Sequence, residues 1–330
     1  MAASYPGAVK TYTDKVDGED KYYAAHVNEA YAEIIAVETE LFTKRIYIDS
    51  SANSMLIYIP CTKANTFMRY ELYHSVRAYT GGTYENDDQW RIRNGQECTY
   101  AAGAFTESKE YTYINTGEWE CAIQLATDNF VGGFHGYEKI DNGFMLVDGI
   151  YKALGATYSG WCKSLTLVQN SHIIRDGEEA DTIANHSKHY EIDINGITIR
   201  QRVVWVGIET VYSNFMGMLP IRRTDDGTDL GIQITDSFFS DFDYVNYDVA
   251  LISHGHNEHR AGVETARIWG DTSGVSAVMT VKTDEAKSGY FYCEETANYN
   301  KLYFAHTSDT YTTEANEVWE NESYYKIDVV

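Results

Sequence analysis

The sequence predicts a mainly β protein, with a short N-terminal coiled-coil helix followed by a large antiparallel β-sandwich. Three observations carry this reading. From Thr43 onward, short segments rich in β-branched and aromatic residues alternate with turn signals. The chain of 330 residues holds 28 Tyr, 12 Phe and 6 Trp but only 3 Pro, which supports a large folded core and excludes a Pro-rich stalk. Helical periodicity is clear in one stretch alone, from Glu19 to Leu41.

The elements follow in order. Residues 1–18 read as an extended arm that ends at the turn signal Asp17-Gly18. Residues 19–43 read as the helix, because Tyr23, Val27, Ala30, Ile34, Val37 and Leu41 are spaced by 4, 3, 4, 3 and 4 residues. That spacing keeps one apolar seam facing a partner helix, while Glu29, Glu33, Glu38 and Glu40 lie off it. These six residues are the expected oligomerisation contacts. Residues 44–330 form the β body. Its strand-like segments are Lys44–Ile59, Ser164–Ile174, Tyr190–Val206, Ser276–Lys282 and Tyr324–Val330. Gly81-Gly82, Asn94-Gly95, Asn142-Gly143, Asp176-Gly177, Asn195-Gly196 and Asp226-Gly227 are read as turns. Around Asn195-Gly196 the alternation of Ile192, Ile194, Ile197 and Ile199 predicts a hairpin with a type I′ turn. A body of this length is either one large sandwich or two packed smaller ones.

Charge narrows the partners. With 26 Lys+Arg against 49 Asp+Glu the net charge is −23, which opposes both nucleic acid and an anionic membrane surface. No run reaches the roughly 18 apolar residues of a spanning helix, so membrane insertion is not expected. Met1–Lys10 lacks the pattern of a signal peptide, so the chain is expected to be made in the cytoplasm. Cys61, Cys98, Cys121, Cys162 and Cys293 form no CxxC pair and read as small buried hydrophobes.

The N-terminal segment Tyr5-Pro-Gly7, Lys15-Val-Asp-Gly18 and Ala25-His-Val-Asn28, followed by the heptad seam, resembles the leader of tailed-bacteriophage virion proteins. The resemblance covers about 40 residues. It implies that the arm docks on other virion proteins, that the chain resides in the virion, and that the body faces outward as a tail fibre, receptor-binding protein or head fibre. It also implies a homotrimer, with which the β-branched Ile34 is compatible.

Four groups in the body carry candidate chemistry. In Val131-Gly-Gly-Phe-His-Gly-Tyr-Glu138, glycines admit a close ligand while His135, Tyr137 and Glu138 supply a base, a phenol and a carboxylate. On an extended strand His135 and Tyr137 would share a face, as carbohydrate binding requires. His186 and Tyr190 add a second base and phenol. As a polysaccharide lyase, the chain would draw its catalytic residues from His135, Tyr137, Glu138, His186 and Tyr190. His254, His256 and His259, with Glu258, resemble the HxHxDH metal motif of the metallo-β-lactamase fold, although the strands around them do not fit that fold. The acidic run Asp225 to Asp229, with Asp236, Asp241, Asp243 and Asp248 beyond it, offers oxygen ligands without EF-hand spacing. No cofactor is required, and a divalent Ca or Zn ion enters only through these last two clusters.

The body also resembles the large β-sandwich modules of carbohydrate-active enzymes, including its ending Asn300–Phe304, Glu317–Glu320 and Tyr324–Asp328. The expected function is therefore a virion appendage that contacts host-surface glycan. The alternatives are a virion-associated lyase and a head fibre or decoration protein without catalytic activity.

Overall fold

The structure is a computed structural model that describes residues 30, 44–112, 118–125, 128–222, 236–240, 260–261, 265–270, 274–283, 290–295, 299–307 and 309–330. The expected docking arm and, Ala30 apart, the expected helix with its heptad seam lie outside the described residues.

The body is built from antiparallel strands, as the alternating segments predict. Among the described residues one fifteen-stranded sheet dominates, accompanied by two four-stranded sheets. Along the large sheet Tyr158–Cys162, Ile46–Ser50, Ser54–Pro60, Thr66–Arg77 and Asp87–Ala101 form one arm. A single parallel pairing, Asp88 with Lys139, joins it to a second arm that runs through Glu138–Val147, Ser164–Ile174, Thr182–Asp193, Gly196–Trp205 and Val318–Val329. The arms meet face to face. The N–H of Ile327 donates to the Tyr70 hydroxyl at 3.1 Å, and that of Lys63 to the Val329 carbonyl at 2.8 Å. One core cluster draws Ile46, Ile57 and Leu72 from the first arm and Leu167, Ile192, Ile199 and Tyr325 from the second. Burying each such aliphatic side chain contributes about 1.5–3 kcal/mol.

Period-two alternation decides which side chains reach this core. Ser164–Ile174 alternates half-buried and buried positions along almost its whole length. On Ile46–Ser50 the buried Ile46, Ile48 and Ser50 leave Tyr47 and Asp49 on the opposite, outward face.

The glycine signals divide in an instructive way. The hairpin between Thr182–Asp193 and Gly196–Trp205 is present, with Ile192 opposite Ile197. Its turn is not type I′. Asp193 pairs with Gly196, so Ile194 and Asn195 are the central residues, and neither has a positive φ. The Asp193 carboxylate instead accepts the Asn195 N–H at 2.7 Å, an Asx turn. Gly196 is needed for a different reason: at φ 143° its absent Cβ would lie 2.4 Å from the Tyr325 carbonyl oxygen of the next strand. Asn94-Gly95 and Asn142-Gly143 are not turns either. Both fall inside long strands at bulges, where the pairing register shifts between Tyr70 and Glu71 and between Asn170 and Ser171.

A primed turn does occur where no Asn-Gly signal marks it. Ala101 pairs with Ala104, and the central Ala102 and Gly103 have φ of 53° and 86°. Ala102 bears a Cβ in the left-handed region, which Asn tolerates better. Ala102→Asn should therefore stabilise the protein by about 0.5–1 kcal/mol, seen as a higher urea midpoint at unchanged slope.

Candidate functional site

The sequence-predicted residues fall into two places. His186 and Tyr190, with the unpredicted Lys188 between them, lie two apart on Thr182–Asp193 and all three point into the core. There Glu138 Oε1 accepts from Ser171 Oγ at 2.6 Å and lies 3.1 Å from His186 Nδ1 and 3.0 Å from Lys188 Nζ. Glu138 Oε2 accepts the Gly133 N–H at 3.1 Å. Lys188 also donates to Gln89 at 2.5 Å, and Tyr190 donates to Glu120 at 2.9 Å. This is a sealed charge network: none of Glu138, His186, Lys188 and Tyr190 is more than 1% exposed. Three of the five residues expected for a lyase thus converge, but a polysaccharide cannot reach them.

Electrostatics fit an internal structural role. Burial favours a protonated Glu138 carboxyl, but Lys188 and His186 outweigh it and hold the pKa well below the usual carboxylate range. Burial disfavours the His186 imidazolium, yet Cys121 and Glu138 more than compensate and push its pKa up to about 10. Burial pushes the Glu120 carboxyl up. Cys121, Glu138 and His186 bring three potential ligand atoms within 4.8 Å of one another. The Lys188 ammonium at the same carboxylate oxygen repels a divalent ion, so this donor set does not fit a metal.

The two shifts oppose each other on the pH scale. Glu138 contributes stability that is complete above its unfolded value of 4.5 and is lost as pH falls through its lowered folded value. His186 contributes stability that is complete below 6.5 and is lost as pH rises through about 10. Unfolding free energies from urea titration should therefore decline between these two His186 values, by up to about 1.4 kcal/mol per pH unit from this group. His186→Asn should flatten that decline.

His135 stands apart from this network. Gly133–His135 forms a 3-10 turn, and Gly136 and Tyr137 follow at φ of 84° and 53°. The stretch is not extended, so the expected shared face of His135 and Tyr137 is absent. Tyr137 is buried and donates to the Gly82 carbonyl at 2.7 Å. His135 sits among Tyr84, Phe130 and Phe134, with Nε2 3.9 Å from Glu118 Oε1. Burial, with Arg77 and Arg91 nearby, lowers its pKa to about 4, which leaves a neutral imidazole. His254, His256, His259 and most of the acidic run lie outside the described residues.

The open site is elsewhere, on the outward face of the first arm. Trp161 pairs directly with Tyr47, and Tyr47 with Tyr58, so three rings form a row across three strands. Phe67 and Tyr100 extend the cluster on the next two strands. The hairpin whose tip is Ala102-Gly103 then folds Phe105 over Tyr58, stacked at 3.8 Å and 18°. Tyr47 and Trp161 meet edge to face at 5.2 Å, within the 4.5–7 Å range of favourable aromatic pairs. Tyr47, Tyr58, Tyr100, Phe105 and Trp161, with Asp49, Gly103 and Ala104, line an open pocket of about 340 Å³. Tyr47 and Ser159 share a hydroxyl hydrogen bond of 2.7 Å beside it. Burial, with Cys98 beside it, pushes the Tyr58 phenol up to about 12 and keeps it a hydrogen-bond donor at neutral pH.

Aromatic faces with phenolic and carboxylate groups between them suit a hydroxylated ring that has one apolar side. The sequence held a signal for this pocket: Tyr47, Asp49 and Tyr58 occupy outward positions on strands whose other face is aliphatic. A second concavity, of about 710 Å³, lies over Arg200, Arg202, Glu320 and Glu322. Its charges are consumed in cross-strand ion pairs, Arg200 with Glu322 at 2.7 Å and Arg202 with Glu320 at 2.9 Å.

No known protein family and no curated protein matches the sequence. Solved structures similar to it include the galactosidase domain of an α-galactosidase–sucrose kinase, at 12% identity and TM-score 0.38 over 86% of this chain and 41% of that one. A protein of Synechocystis sp. PCC 6803 is similar at 11% identity and TM-score 0.41, over 83% of this chain and 96% of that one. A heparinase III is similar at 9% identity and TM-score 0.35, over 84% of this chain and 35% of that one. The chain spans less than half the length of the galactosidase and heparinase chains. At these scores the likenesses carry no argument about function.

Proposed function

We propose that this chain is a virion appendage whose β body binds host-surface carbohydrate without cleaving it. The observation that carries the binding role is the solvent-open aromatic pocket of Tyr47, Tyr58, Tyr100, Phe105 and Trp161. The phage-like leader at Tyr5–Asn28 supports the virion assignment, with the arm docked on other virion proteins and the heptad seam making a homotrimer. The burial of Glu138, His186 and Tyr190 weighs against lyase chemistry at those residues.

Two measurements test this reading. Labelled full-length chain should bind intact bacteria of its host range and should lose binding once their surface glycans are oxidised with periodate. Binding that survives periodate, or is abolished by protease instead, sinks the carbohydrate role. Light scattering after size exclusion should give a mass near three chains, falling to one chain when the protein starts at Lys44. A monomer in both cases removes the trimeric appendage.

A further inference from the structure

We propose that the aromatic pocket takes an uncharged or amino-bearing sugar and rejects uronates and other acidic sugars, with Asp49 as the selecting residue. This rests on the carbohydrate reading of the same pocket. Among the described residues Asp49 is the one charged side chain that lines it, and it is exposed. Its neighbours on Ile46–Ser50 explain its direction: Ile48 and Ser50 turn inward, so Asp49 must turn outward beside Tyr47. Arg69, whose charge reaches the Tyr58 hydroxyl, is engaged in an ion pair with Glu107. A sugar carboxylate in the pocket would face Asp49, and among the described residues no cation lines the pocket to neutralise it.

The chemistry then separates three classes of glycan. A neutral pyranose can lay its apolar face on Trp161 or Tyr47 and donate adjacent hydroxyls to the Asp49 carboxylate, which accepts through two oxygens. An amino sugar adds an ammonium that pairs with Asp49 and is attracted by the rings. A uronate or sialate places like charges a few ångström apart, where repulsion escapes the screening that salt provides beyond about 8 Å. The net charge of −23 acts in the same direction at longer range.

The test is a set of titrations on the full-length chain, followed by tryptophan fluorescence and calorimetry, with oligosaccharides of matched length. The probes are neutral glucan, galactan and N-acetylglucosamine oligomers, chitosan oligomers, and galacturonate and hyaluronate oligomers. The expected result is binding of one or more neutral or amino probes and at least about ten-fold weaker binding of every uronate. Asp49→Asn, which keeps shape and removes charge, should narrow the gap between neutral and uronate probes and weaken chitosan binding about ten-fold, with circular dichroism unchanged. Uronate binding as tight as the neutral probes, or a preference that Asp49→Asn leaves unmoved, overturns the selectivity while leaving carbohydrate binding intact. If no probe of any class binds the folded chain, the carbohydrate reading falls and takes this inference with it.

Discussion

Replacing Lys188 by Met should destabilise the protein by about 3–5 kcal/mol, the cost of leaving one member of a buried ion pair behind. Lys188 and Glu138 have no exposed side-chain surface, and 3.0 Å separates the ammonium from the carboxylate. Met fills a similar volume, so the loss is of charge rather than packing. Glu138 would keep the Ser171 hydroxyl, the Gly133 N–H and His186, but not the ammonium that helps hold it ionised. Gln89, on Asp87–Ala101 in the first arm, would lose the donor that ties it to the second arm. The check is urea unfolding of Lys188→Met, Glu138→Gln and the double variant at neutral pH. The double variant should lose less than the sum of the singles, because each single change breaks the same Lys188–Glu138 pair. A single variant costing under about 1 kcal/mol would show that water reaches this network and that it is not sealed.

The fold was legible where structure follows from local alternation. Ile192, Ile197 and Ile199 announce a two-stranded unit because a period of two is a property of one strand, and the register confirms it. The Asn-Gly pairs misled for a non-local reason. Gly143 is required because its Cβ would lie 2.6 Å from the Val168 carbonyl, on a strand that only the fold brings alongside. Lys188 escaped notice on the same ground. A lysine at an inward position reads as an outward one until the carboxylate opposite it is known, and Glu138 lies fifty residues earlier. Glu138, His186 and Tyr190 are legible in the sequence as acid, base and phenol, whereas their convergence and burial depend on the second layer of the sandwich. The aromatic pocket was hardest to foresee, since its rings span Tyr47 to Trp161 and become neighbours only through the pairing of Ile46–Ser50 with Tyr158–Cys162.

That pairing makes Trp161 the residue on which glycan binding should depend most. Trp161→Ala is expected to weaken binding of the best probe by roughly thirty-fold or more, the effect of removing a hot-spot aromatic worth about 2 kcal/mol or above. The stability cost should stay below the 3–5 kcal/mol of a fully buried tryptophan, because Trp161 keeps part of its surface in water. Its ring packs against Tyr47, Tyr100 and Phe105 of the pocket and against Phe67 beneath them, at 5.2–6.1 Å. Trp161→Phe should recover part of the affinity, since a smaller ring still offers a face. Arg202→Ala, in the charge-paired concavity over the other arm, should leave affinity unchanged, because its charge is engaged with Glu320 and it is not among the described residues that line the aromatic pocket. Calorimetric titration of the three variants separates the possibilities. If Trp161→Ala binds as the native chain does while Arg202→Ala loses affinity, the glycan lies across the paired charges of the second arm, and the aromatic cluster serves only to pack the outer face of the first.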